Sequence, residues 1–263
     1  LIYSAEKISD PEIPGISEAY SIVGLKGTAD NVDFGLFGKA PKDHVFKVSD
    51  LRLEGCSFES QGQSTGAVLG EFQGSDLEFH NIYVGDYVDP DTKDIMESVF
   101  LAKKYAGGLV GSIAGIGSHT KITQCESNAY IRGEETAGGL IGRVDKGSLD
   151  ISNTYVAGHT RNAYYGQEED GSTQGRLNIF AGSKDDHKGS AGGFVGSFKG
   201  QKDTVSINNC YTTASIAGNK GLTGKYIGSL EGNASSNNTT FTITNVYSLG
   251  PVLTQELVPQ TKD

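Results

Sequence analysis

A block of glycine, a small residue, two apolar residues and a closing glycine recurs along this chain, and a fixed recurrence of that length limits the fold more than any other feature. The clear copies are Thr65-Gly-Ala-Val-Leu-Gly70, Ala106-Gly-Gly-Leu-Val-Gly111, Ala137-Gly-Gly-Leu-Ile-Gly142 and Ala191-Gly-Gly-Phe-Val-Gly196. Looser copies, Asp33-Phe-Gly-Leu-Phe-Gly38 and Thr223-Gly-Lys-Tyr-Ile-Gly228, flank them, as terminal repeats that double as caps do. The closing glycines fall at 38, 70, 111, 142, 196 and 228, at spacings of 32, 41, 31, 54 and 32. The unit is therefore about 32 residues, with insertions of roughly 9 and 22 residues in the two long spacings.

Each unit carries a second block in which apolar residues alternate and then meet an amide. The copies are Leu77-Glu-Phe-His-Asn-Ile-Tyr83, Leu149-Asp-Ile-Ser-Asn-Thr-Tyr155, Val205-Ser-Ile-Asn-Asn-Cys-Tyr211 and Phe241-Thr-Ile-Thr-Asn-Val-Tyr247. Such alternation reads as strand. Ile122 to Glu126 and Leu51 to Ser57 are assigned to the same slot in the other two units, and Ala129 to Gly133 and Ala214 to Gly218 form a third short strand. Units of short strands that cannot bury a face alone must stack, so the expected fold is all-β: one continuous parallel β-helix, or solenoid, of about six coils. One short helix is expected in an insertion, at Asp89 to Lys104, with Asp89 as N-cap, Pro90 at the first helical position and Lys103 and Lys104 at the C-terminal end. The carboxylates Asp86, Asp89, Asp91, Asp94 and Glu97 there lack calcium-loop spacing and read as a solvated face.

Stacking turns equivalent positions into columns. The residue two places after each closing glycine is Ala40, Phe72, Ile113, Val144, Phe198 or Leu230. With Leu36, Val68, Leu109, Leu140, Phe194 and Tyr226 it shares one parity, assigned to the core. The other parity, Phe37, Leu69, Val110, Ile141, Val195 and Ile227, is also apolar. A one-faced strand leaves that column unexplained, with an insertion, a neighbouring domain or a bend at the glycine as candidates. Asn81, Asn153, Asn209 and Asn245, with Gln124 and Gly55, are expected as a structural amide ladder at a coil corner, because Asn tolerates left-handed backbone. Cys56, Cys125 and Cys210 are placed in one column, on alternate rungs about 9.6 Å apart, beyond the ~7 Å reach of a disulfide. They are read as buried free thiols. Tyr83, Tyr155, Tyr211 and Tyr247 read first as a partly buried aromatic ladder and second as a row that stacks on sugar rings.

Composition removes several classes. Glycine is 37 of 263 residues with only 6 Pro and 36% hydrophobic content, which excludes collagen and a disordered Pro/Gly tract. A net charge of −10 repels a phosphate backbone, so nucleic acid is not an expected partner. No apolar run approaches the ~18 residues of a membrane span, so no membrane contact is expected of this portion. None of His44, His80, His119, His159 or His187 begins an H-E-x-x-H, and neither G-x-S-x-G nor a phosphate-binding G-x-x-x-x-G-K-[ST] occurs. No catalytic residue, metal ligand or cofactor is assigned. The binding candidates are Tyr164, Tyr165, Glu168, Glu169, Asp170, Asp185, Asp186 and His187, because the polar insertion that carries them departs furthest from the repeat and long loops on a rigid scaffold often carry function.

The pairing of Ala-Gly-Gly-Leu-Val-Gly with Ile-Ser-Asn-Thr-Tyr-Val-Ala-Gly resembles the GLUG repeat, over roughly residues 33 to 250. That resemblance implies a β-solenoid of a large bacterial surface or secreted protein, such as adhesin-like filamentous proteins, non-catalytic regions of immunoglobulin A peptidases and gut Firmicute surface proteins. It implies no catalytic residues. The domain reading is a cap or lead-in over 1–30, the solenoid over 31–250 with insertions at about 85–105 and 162–190, and a linker or tail over 251–263. The expected function is a non-enzymatic adhesin or stalk at the bacterial cell surface or outside the cell, binding a glycan or protein of a host or neighbouring cell, with upstream and downstream domains of its own polypeptide as further partners. The alternative is a carbohydrate-active β-helix enzyme, a polysaccharide lyase or glycosidase.

Overall fold

The computed structural model describes residues 6–8, 19–158, 178–182, 189–200, 203–219, 221–231 and 239–254. These form an all-β parallel solenoid whose coils run through four sheets in turn. The coil from Val110 is representative: Val110–Ile113 lies in one sheet, His119–Thr123 and Glu126–Ser127 in the next, Tyr130–Gly133 in a third and Thr136–Gly138 in a fourth, before Ile141–Val144 re-enters the first. The repeat register is in place. Phe37, Leu69, Val110, Ile141, Val195 and Ile227 pair in one column, so each closing glycine stacks on the next. Ile179–Ala181, inside the span read as the longer insertion, is a strand between Tyr130–Gly133 and Ile216–Gly218.

The sheet holding the asparagines has the most strands, and each of its described rungs from Asp50 onward bends once and continues. Asn81, Gln124, Asn153, Asn209 and Asn245 have φ between 51° and 54°, and a side chain that bonds locally makes that left-handed conformation tolerable. Each bend inserts one residue into the alternation. Leu77 and Phe79 point inward, then Ile82 and Val84 do, so Tyr83 emerges on the outside. The ladder's first member is Asp50, φ 57°, and not Gly55: Leu51 pairs with Ile82 and Arg52 with Tyr83. The strand equivalent to Leu77 to Tyr83 is thus Phe46-Lys-Val-Ser-Asp-Leu-Arg52, five residues before the assigned stretch, which hides because it has Asp for Asn and Arg for Tyr. Asn81 Nδ2 donates to Asp50 Oδ1 at 2.7 Å, and Asn245 Nδ2 to Asn209 Oδ1 at 3.1 Å.

The same shift moves one cysteine. Cys125 and Cys210 share the column of Ile82 and Thr154, but Cys56 belongs to the next corner, where its N–H donates to Ser98 Oγ at 3.2 Å. All three are buried free thiols. Burial pushes Cys56 up to about 11, Cys125 to about 12 and Cys210 above its ordinary value.

The second apolar column is explained by a bend at the glycine block. The N–H groups of Leu109 and Val110 both donate to the Leu140 carbonyl, at 2.8 and 3.0 Å, and those of Leu140 and Ile141 both donate to Phe194. Two successive N–H groups on one acceptor break the alternation as a β-bulge does, so both apolar residues turn inward. Leu109, Val110, Leu140, Ile141, Phe194 and Val195 are all fully buried. The glycines allow the close approach this requires. A Cβ on Gly111 would lie 2.5 Å from the Gly70 carbonyl oxygen and 2.7 Å from Ser64 Cβ. Buried hydroxyls stitch the same seam, with Ser64 and Ser112 Oγ 2.9 Å apart and Ser190 Oγ donating to the Gly196 carbonyl at 2.6 Å.

The expected helix at Asp89 to Lys104 is not formed. Asp89 Oδ1 does accept from the N–H groups of Asp91 and Thr92, at 2.8 and 2.9 Å, as a helix cap would. Lys93 then takes a φ of 64° and the chain reverses, so that Ile95–Met96 pairs antiparallel with Tyr87–Val88. Val99–Ala102 is claimed on both edges, by Ser57–Ser60 and Tyr130–Gly133. A vacant place in a parallel sheet outweighs a local helical pattern, because propensity differences are a fraction of a kcal/mol per residue.

Candidate functional site

The asparagine bends place one column of large side chains on the outer face: Arg52, Tyr83, Glu126, Tyr155, Tyr211 and Tyr247 in successive rungs. The Arg52 guanidinium lies 4.3 Å from the centre of the Tyr83 ring and bonds Glu54 Oε1 at 3.0 Å, while Ser21 Oγ donates to Glu54 Oε2 at 2.7 Å. Tyr155 donates its phenolic hydrogen to Glu126 Oε2. Tyr155 and Tyr211 stack with centroids 4.9 Å apart and planes 5° from parallel, close to the ~4.8 Å rung spacing. The row opens toward the C-terminal end: Tyr83 and Tyr155 are half-buried, Tyr211 is 42% exposed and Tyr247 66%.

Tyr155 and Tyr211 each cover one face of the other's ring, and the Arg52 guanidinium covers one face of Tyr83. Burial pushes Tyr83 up to about 12, with the Glu126 and Glu54 carboxylates adding to it and Arg52 opposing. Burial also raises Glu126, against the Tyr155 hydrogen bond and the Arg52 charge. The strip thus has one carboxyl in its middle, Glu126, bonded to the Tyr155 hydroxyl.

A second polar cluster, which sequence patterns did not single out, sits on the first two coils. Glu71 accepts from Lys39 Nζ at 2.9 Å and from Gln73 Nε2 at 2.6 Å, and shares a hydrogen bond with Asp33. Burial, with the hydrogen bond and charge of Glu71, raises Asp33 to about 6, against bonds from Ser64. Burial disfavours the Glu71 charge, but bonds from Asp33, Lys39 and Gln73 outweigh it and lower its pKa. Within this hydrogen-bonded pair Asp33 is the carboxyl that holds its proton more tightly. Glycosidase carboxyls stand ~5 to 9.5 Å apart to admit a sugar carbon or a water.

No family model and no curated protein matches the sequence. Among solved structures, the fold resembles that of a "putative immunoglobulin A1 protease" from Bacteroides ovatus, with a TM-score of 0.52 at 18% sequence identity. The likeness covers 93% of this chain and 65% of that one. At this identity it establishes the shared fold. The chain spans only part of that protein's length.

The binding candidates Tyr164, Tyr165, Glu168, Glu169, Asp170, Asp185, Asp186 and His187 lie outside the described residues. Among the described residues, no three His, Cys, Asp or Glu side chains converge as metal ligands do. Arg52 and Glu126 were missed as partners of the tyrosines because each replaces Tyr at its rung; Glu126 stands two places after Gln124, already in the ladder, and Arg52 two places after Asp50, which takes the place assigned to Gly55.

Proposed function

We propose that this chain is a non-enzymatic module of a bacterial surface or secreted protein that presents its rigid outer faces to a glycan or protein of a host or neighbouring cell. The observation that carries this reading is the outward row from Tyr83 to Tyr247, in which Tyr155 is held by its stack on Tyr211 and its bond to Glu126, and Tyr83 by the Arg52 guanidinium, before any ligand arrives. Preorganised side chains bind without a further entropy loss on ordering. The GLUG-like repeat and the fold shared with the Bacteroides ovatus protein support the setting. The polar insertion with Tyr164, Tyr165 and His187 is a second proposed contact region.

A glycan array followed by titration tests the proposal: Tyr211→Ala and Tyr247→Ala should each weaken a positive glycan at least about fivefold, roughly 1 kcal/mol. Unchanged binding in both variants would move the site elsewhere. The competing reading, a carbohydrate-active enzyme, would have to use the Asp33–Glu71 pair, in which burial and Glu71 raise Asp33 to about 6, although its carboxyls are hydrogen-bonded to each other and not set at a glycosidase separation. Incubation with acidic and neutral polysaccharides decides it: turnover that disappears in Asp33→Asn would overturn the non-enzymatic reading.

A further inference from the structure

The last described rung carries the repeat pattern of the interior rungs, and among the described residues only one of its edges is paired. Thr240–Ser248 runs parallel to Thr204–Thr212 in full register. Its inward residues Phe241 and Ile243 continue the columns of Val205 and Ile207, which are fully buried, yet Phe241 is 37% exposed and Ile243 45%. Leu230, next in the column after the buried Phe198, is 63% exposed. A long edge strand with an apolar face is a template for another strand.

We propose that this edge docks one further parallel rung: a strand of the repeat's own pattern, apolar-x-apolar-x-Asn-apolar-Tyr, supplied by another polypeptide segment. The bend selects that partner. Every described rung in this sheet from Asp50 onward turns at the same position, with φ between 51° and 57°. A strand without a bend residue there parts from the edge halfway along it. A second copy paired antiparallel about Thr244 would set its own bend opposite Ile243, and inward residues would meet outward ones. In the copy's first parallel strand of this sheet, Ala19–Ser21 is already paired antiparallel with Glu6–Ile8, and no residue of Ala19–Val23 has the left-handed bend. Only a parallel strand with Asn at the bend continues all the columns. Its Asn would donate to Asn245 Oδ1 as Asn245 donates to Asn209, its Tyr would cover the Tyr247 ring, and its apolar residues would cover Phe241 and Ile243. This inference is independent of what the outer tyrosine row binds.

Hydrogen exchange of the full chain tests it, with a soluble peptide of the sequence at residues 76–85, Asp-Leu-Glu-Phe-His-Asn-Ile-Tyr-Val-Gly, as the probe. At saturation the edge amides of residues 240–248 should exchange roughly tenfold more slowly, with interior rungs unchanged. A peptide of the same composition with Asn moved two places should have no effect, and Ile243→Lys, at an exposed position, should abolish the protection. Absence of protection by the matched peptide, or equal protection by both peptides, overturns the proposal. So does a dimer of the chain alone that Ile243→Lys dissociates, because the occupant would then be a second copy.

Discussion

The two ends of the solenoid are built from the same repeat and finished differently. At the N-terminal end the first parallel strand, Ala19–Val23, has the three-residue antiparallel strand Glu6–Ile8 paired with Ala19–Ser21, so part of its outer edge is covered. At the C-terminal end Thr240–Ser248 has the better match to the repeat pattern, yet Phe241, Ile243 and Leu230 stand partly in solvent. The repeat's apolar positions are therefore buried by their neighbours and not by their own rung. That is the behaviour of a one-dimensional stack, in which stability is a sum of rung and interface contributions.

The comparison can be broken first at the glycine seam. A Cβ on Gly142 would meet the Gly111 carbonyl oxygen at 2.5 Å and the Ala106 carbonyl oxygen at 2.8 Å, so Gly142→Val should cost more than about 4 kcal/mol and leave little folded protein. Gly117→Ala, where nothing lies within 4 Å but φ is 70°, should cost only about 1 kcal/mol by urea titration. A Gly142→Val protein of normal stability would mean that the two sheets can part freely. Next, Ile207→Ala should cost about 3 kcal/mol and Ile243→Ala, one rung further in the same column, less than about 1. Equal losses would show that the last rung is as well covered as the others.

The thiols sharpen the same gradient. Each is held above its ordinary value of 9.0, so the folded protein keeps its protons where the unfolded chain has lost them. Their contribution is complete below pH 9 and is lost as pH rises toward 11 to 12; stability should fall by about 2 kcal/mol between pH 8 and 9.5. A flat profile would contradict burial of the thiols. With a thiol reagent at pH 8, Cys210, one rung from the open end, should react before Cys125, because end rungs fray first. The smallest effect is expected at the bends. Asn209→Ala should cost about 1 kcal/mol and Asn209→Gly almost nothing, a difference that thermal melts resolve.

Much of this architecture is legible in the residues because a stacked fold writes itself into sequence as columns. The glycine block set the coil length, and the closing glycines pair as their spacing requires. Reading failed where chemistry at a column position changed while geometry did not. Asp50 and Arg52 take the places of Asn and Tyr, so the first bend was assigned five residues late, and Cys56 was drawn into the wrong column. It failed again at Asp89 to Lys104, where a genuine cap-like turn begins a hairpin and the following apolar residues are taken by a neighbouring sheet.

By itself, the sequence determined the all-β class, the parallel stacking, the coil period and the burial of the thiols, because each follows from periodicity and from which side chains avoid water. Only the tertiary structure decided which way the tyrosines face and what encloses the second apolar column. Both depend on a parity reset, one at a left-handed asparagine and one where two N–H groups share a carbonyl, and alternation counted along a sequence carries no mark of either. The carboxyl pair of Asp33 and Glu71 belongs with them, since residues 38 positions apart meet only when the second coil closes over the first.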